Sequence, residues 1–172
     1  PLLFRESGDK LTLLGHMMRK QAHTVAFEEN PEVLAVFTGA HTYVSATWYS
    51  NPVQASTWNY MSVHARGKMR FLDEEGLALA LEELTMAYEN GNARSSTVFH
   101  NLPEEYRNRL MKSIVAFEIE VESAEAVFKL SQNRDKESYY NIIPRLKEQG
   151  ADAAIIAGYM EQRGSQLFKE NK

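Results

Sequence analysis

Cysteine is absent from all 172 residues, which excludes disulfides and thiolate chemistry. That usage is compatible with a reducing cytoplasm, the compartment expected here. No apolar run approaches the roughly 20 residues that a membrane span needs, so no membrane partner is expected. A basic excess is also missing: 19 Lys and Arg stand against 23 Asp and Glu, a formal net charge of -4. DNA-binding domains draw affinity from neutralising phosphates, so DNA as a partner has no support from bulk charge. The chain contains no G-x-S-x-G elbow, no P-loop, no H-E-x-x-H and no G-x-G-x-x-G. No two of its 5 histidines stand four apart, so no metal site is expected.

Apolar residues make up 44% and charged residues 24%, ordinary for a globular protein. The length fits one domain, 1–172, with a sizeable core. The chain opens Pro1-Leu2-Leu3-Phe4, without Met and in a mid-strand register. An N-terminal segment is therefore expected to be missing, and with it a pairing edge of the fold.

Residues 10–17 read as a strand, and 19–30 as a helix ending before Asn30-Pro31. "EVLAVFTG" reads as a buried strand, Gly39-Ala40-His41 as a turn, and 42–49 as β-rich again. A loop carrying Asn51-Pro52 follows. Asp73 is placed to cap a helix running to Tyr88, "NGN" ends it, and Pro103 fits the first turn of another. "IVAFEIEVES" alternates as a strand, with "EAVFKLSQNR" expected as its antiparallel hairpin partner. Two helices close the chain, and Pro144 is expected to break or kink the first. The pattern is a β-meander with inserted and appended helices, class α+β, forming a small antiparallel barrel or curled sheet.

The densest chemistry is in "TWNYMSVHARGKMRF", residues 57–71. One face carries Met61, Val63, Ala65, Met69 and Phe71. The other carries Trp58, Tyr60, Ser62, His64 and Arg66, with Gly67 a bulge or close-approach point. Tyr43, Trp48 and Tyr49 lie upstream among Ser45, Thr47, Thr57 and Asn59. Rings give rigid contact area, while hydroxyls and amides fix orientation. The alternation alone leaves three occupants open: the protein's own core, a second copy, or a planar heteroaromatic ligand.

The blocks "GHM", "VLAVFTGAHTYVSATWY", "TWNYMSVHARG", "IVAFEIEVE" and "KLSQNR", in that order, resemble the PaiB-type FMN-binding negative transcriptional regulators. The resemblance spans residues 1–148. It implies an antiparallel split β-barrel like that of pyridoxamine-phosphate oxidases, with inserted and C-terminal helices (barrel about 1–134, helices about 135–172). It also implies a homodimer with FMN in clefts at the subunit interface. Residues carried over as cofactor-binding are His16, Met17, Arg19 and Lys20 at the end of the "GHM" strand. From the ring-rich blocks come Ser45, Thr47, Trp48, Thr57, Trp58, Asn59, Tyr60 and His64. From "KLSQNR" come Gln132 and Arg134, beside Lys129 and Asn133. The chain departs from the pattern at Gln21-Ala22-His23, where relatives carry Asn-Pro-Gln.

The family implies negative regulation of protease production and sporulation. Two other readings stay open at this stage. One is a flavin-dependent oxidoreductase in which the flavin carries the redox chemistry and His16 and His64 are the near-neutral groups. The other is a cofactor-free dimeric interaction protein.

Overall fold

The computed structural model describes residues 2–168. Among them, five strands share one sheet in the order β1-β2-β5-β4-β3. The strands are β1 (Leu3–Ser7), β2 (Lys10–Met18), β3 (Glu32–Val44), β4 (Thr57–Phe71) and β5 (Ile114–Lys129). The helices are α1 (Ala22–Glu29), α2 (Glu74–Tyr88), α3 (Glu104–Ser113), α4 (Lys136–Lys147) and α5 (Ala151–Leu167). The architecture is α+β, an antiparallel split-barrel sheet with inserted and C-terminal helices. Two compact units divide the residues: Pro1–Ala35 with Ala65–Ala124, and Val36–His64 with Glu125–Lys172. Strands β3, β4 and β5 each give residues to both.

In unit 1, Gly8 at φ 60° turns β1 back onto β2, pairing Leu3 with Leu14 and Ser7 with Lys10. β2 then lies antiparallel to β5 from Leu11↔Val121 to Met18↔Ile114. Helix α2 starts where Asp73 accepts from the Gly76 amide at 2.8 Å, satisfying one of the free N–H groups of its first turn. Leu77, Ala80 and Leu81 of α2 bury against Leu14, Ile114, Ala116 and Phe99. Gly67 answers a close approach: an added Cβ would collide with the Glu120 carbonyl oxygen. Glu118, largely enclosed, takes Arg5 at 2.7 Å and also pairs with Arg70.

In unit 2, α4 and α5 pack against each other. Tyr139, Ile142, Leu146, Ile156, Ala157 and Met160 join Val44 and Leu130 in one buried cluster. Helix α4 is capped by Asp135, which accepts from the Ser138 amide at 2.9 Å.

Five local expectations differ from the structure. The "EVLAVFTG" stretch is a strand but not a buried one: β3 stands at the edge of the sheet, and Leu34 and Val36 are exposed. Gly39-Ala40-His41 is not a turn; it lies inside β3, and Gly39 lets Met61 of β4 come close, an added Cβ standing 3.2 Å from it. The β-rich reading of 42–49 stops at Val44, because Ser45 caps a 3-10 turn over Ala46–Trp48. Residues 114–134 are not a hairpin: β5 runs unbroken to Lys129, since Ser123-Ala124-Glu125-Ala126 holds no Gly, Pro, Asn or Asp to set a tight turn. Pro144 does not break α4, whose turns on either side of it are anchored by buried Tyr139, Ile142 and Leu146. The missing N–H removes one hydrogen bond, and the packing of that face holds the helix.

Candidate functional site

The residues singled out by sequence fall into both units, and each group has its own geometry.

In unit 1, His16 and Met17 occupy the end of β2, opposite Ala116 and Val115. His16 is half-buried, and its Nδ1 is enclosed with no hydrogen-bond partner. Burial holds its imidazole below the ordinary value of 6.5. Arg19 and Lys20 sit exposed in the turn that follows. The Arg19 amide donates to the Ser113 carbonyl at 3.0 Å, which ties the turn to the end of α3. Arg19, Asn108, Met111, Lys112 and Glu74 surround a hollow of about 510 Å³. Among the described residues, Arg19, Lys20 and Lys112 have no ion-pair partner. Lys112 and Asn108 escaped the sequence reading; they lie on a helix some ninety positions downstream of Arg19, with no motif to link them.

In unit 2, the face alternation of β4 holds in three dimensions. Trp58 is 53% exposed and Tyr60 38%, while Asn59 between them is 0% exposed. The Trp58 ring centroid lies 6.1 Å from His41 and 6.1 Å from Tyr43, both on β3. Tyr43 thus joins the ring face, and His41 extends it beyond the ring-rich residues named from sequence. His64 is half-buried farther along the same strand.

Asn59 points the other way. Its carboxamide accepts from Ser131 Oγ at 3.1 Å and donates to Met160 Sδ at 3.7 Å. Thr57 Oγ1 accepts from Lys129 Nζ at 2.6 Å. Ser45 Oγ accepts from the Thr47 amide at 3.3 Å and lies 2.8 Å from the Thr47 hydroxyl. Trp48 packs half-buried on the core and, with Thr47, Asn141 and Arg145, lines a hollow of about 410 Å³.

The "KLSQNR" residues are engaged locally. Gln132 donates to the Phe128 carbonyl at 2.8 Å and accepts from the Leu130 amide at 2.6 Å. The Arg134 guanidinium lies 4.1 Å over the Tyr49 ring and donates to Gln54 Oε1. Its Nε is enclosed and without a partner.

Among the described residues, no group of three or more His, Cys, Asp or Glu is placed to hold a metal ion. Among the same residues, no helix is long and apolar enough to cross a membrane.

Known proteins share this chain's sequence and fold. Protease synthase and sporulation protein PAI 2 of Bacillus subtilis (strain 168) is 35% identical over 166 residues, 95% of this chain and 78% of that protein. A protein of Emericella nidulans is 29% identical over 168 residues, 88% of this chain and 66% of its own length. The solved FAD- and heme-binding protein from Mycobacterium smegmatis matches at TM-score 0.50 over 75% of this chain and 58% of its own, at 17% identity, a likeness of fold alone. The family described as "Putative FMN-binding domain" matches residues 1–123. The chain thus belongs to that family of FMN-binding domains, of the PaiB type, and FMN is the cofactor of its fold.

Proposed function

We propose that this chain acts as one homodimeric FMN-binding domain that regulates transcription negatively. The flavin phosphate sits at the Arg19–Lys20 turn of unit 1. The ring face of unit 2 turns toward a second copy.

One observation carries the phosphate assignment. Among the described residues, Arg19, Lys20 and Lys112 form no ion pair, and Arg19 and Lys112 stand with Glu74 on the rim of the same hollow. A phosphate dianion takes charge-assisted hydrogen bonds from such groups, and Arg offers two donors in a fixed fork. The residues present therefore fit the group. The unpartnered Nδ1 of His16, on the strand that leads into the turn, adds a further polar atom without a protein partner. Bound FMN supplies electron transfer; the chain holds and orients it.

The dimer reading is supported by the exposure of Trp58, Tyr60 and Tyr43 on neighbouring strands. Monomeric proteins seldom leave so many rings together in water, and such rings anchor interfaces. In unit 2, Trp58, Tyr60, Thr47 and Trp48 remain open to a partner or a flavin ring, whereas Thr57, Asn59 and Gln132 are already engaged by the chain.

That the regulated processes are protease production and sporulation rests on the name of the Bacillus subtilis relative alone, protease synthase and sporulation protein PAI 2. With a net charge of -4, and a single cation, Arg163, along α5, strong independent DNA contact has little to rest on. Regulation then works through a protein partner or the flavin state. Gel shifts at several salt concentrations check this: a salt-sensitive complex with DNA would show direct contact.

FMN titration by fluorescence quenching, with sedimentation velocity, tests the whole reading. Arg19→Ala weakens FMN by about 1–3 kcal/mol and leaves the dimer intact. Trp58→Ala lowers both dimer stability and FMN affinity. A monomer at micromolar concentration, or no quenching by excess FMN, defeats the proposal.

A further inference from the structure

Within unit 2, the last residues of β5 and the C-terminal half of α5 border a hollow of about 420 Å³. That is within the size range of small-molecule sites. Val127, Phe128, Leu130 and Leu167 make its walls apolar. Its polar lining groups are engaged with one exception. Tyr139, fully buried, donates its hydroxyl to the Met160 carbonyl at 2.8 Å. Both ends of the Gln132 amide bond backbone groups of the same turn.

Arg163 is the exception. Its guanidinium stands 5.7 Å from the Phe128 ring centroid, and among the described residues it has no carboxylate partner. Its field reaches into the hollow, where it opposes the burial that pushes the Tyr139 hydroxyl up to about 12. An apolar wall with a single uncommitted cation selects one ligand chemistry. A hydrocarbon or aryl tail gains the burial term, a carboxylate gains a charge-assisted hydrogen bond, and an amine is repelled.

We propose that this hollow binds a small organic acid, its carboxylate on Arg163 and its aryl or alkyl tail against Phe128 and Leu167. Such a ligand gives unit 2 an effector site whose contacting residues, Arg163, Phe128 and Leu167, are ones that the flavin reading does not use.

Titration of the full chain with phenylacetate, followed by backbone amide NMR shifts, tests it. The expected result is saturable shifts centred on Phe128, Leu130 and Leu167. Benzyl alcohol and phenethylamine bind at least about tenfold more weakly, since they lack the charged acceptor. Arg163→Gln loses about tenfold for phenylacetate, with the benzyl alcohol affinity and the far-UV spectrum unchanged. Equal phenylacetate affinity in Arg163→Gln, shifts centred elsewhere, or no saturable binding overturns the proposal. Displacement of phenylacetate by FMN also overturns it, by giving the hollow to the flavin. Since the titration is run with and without FMN, failure of flavin binding and failure of this site are read separately.

Discussion

The hydroxyl of Ser131 donates to the Asn59 carboxamide oxygen at 3.1 Å, joining the first residues of β4 to the turn after β5. Both side chains are buried, and Ser131 holds a positive φ of 58°. Asn59 also donates to Met160 Sδ of α5. The amide thus ties strand, turn and helix of unit 2 together at one point in a dry interior.

Replacement of Asn59 by Ala strands the Ser131 hydroxyl in that interior. Leaving a buried polar group unsatisfied costs about 1–3 kcal/mol. Urea unfolding of Asn59→Ala is expected to show a lower midpoint with an unchanged slope. An unchanged midpoint would mean that the amide contributes nothing net, and would overturn this account of Asn59.

At Gly67 the constraint is steric. A methyl group there meets the backbone carbonyl of Glu120 and comes within 3.1 Å of the Ile119 side chain, so no rotamer change relieves it. Forcing extra volume into a packed site costs about 1–3 kcal/mol, and a backbone collision falls at the upper end. Thermal unfolding of Gly67→Ala should occur well below that of the native chain. Gly158, which an added methyl would leave in open space, serves as the control and should tolerate Ala.

The ring face of β4 was legible in the sequence because a strand's chemical and geometric periods are both two. Gly67 was legible as a close approach for a related reason, since an isolated glycine in a strand pattern leaves a gap for backbone. The capping of α2 by Asp73 is equally local. What escaped the sequence depends on distant partners. Asn59 reads as one of a ring-rich quartet, yet its role is set by Ser131 and Met160, far along the chain. The cluster of Arg19 with Lys112 depends on α3 docking beside the end of β2. The hairpin expected near residue 123 arose because the apolar alternation fades there; residues 122–127 are all exposed, so solvent rather than a turn interrupts the pattern. Pro144 misled in the opposite direction, since packing of Ile142, Ile143 and Leu146 outweighs one lost hydrogen bond.

Tyr139 offers a gentler probe of unit 2. Its ring fills the centre of the cluster and its hydroxyl meets the Met160 carbonyl at 2.8 Å. Tyr139→Phe keeps the ring and removes the donor. The expected loss is about 1–2 kcal/mol by urea unfolding, since a buried carbonyl loses its partner while the packing survives. A gain in stability would show that burying the hydroxyl outweighs its bond.

Stability should also depend on pH through His16. Its imidazole is half-buried with Nδ1 enclosed, and burial lowers its pKa below 6.5 in the fold. The unfolded chain therefore takes up a proton at a higher pH than the folded chain does. Between 6.5 and the lower folded value, the unfolded state binds more protons, so unfolding becomes easier as pH falls. The contribution is fully present above 6.5 and is lost as the solution is acidified through that window. Unfolding midpoints measured across the acidic range should fall in the native chain and fall less in His16→Gln, which keeps a polar side chain but cannot titrate. Parallel pH curves for the two proteins would place the acid sensitivity on other groups and remove His16 from the account.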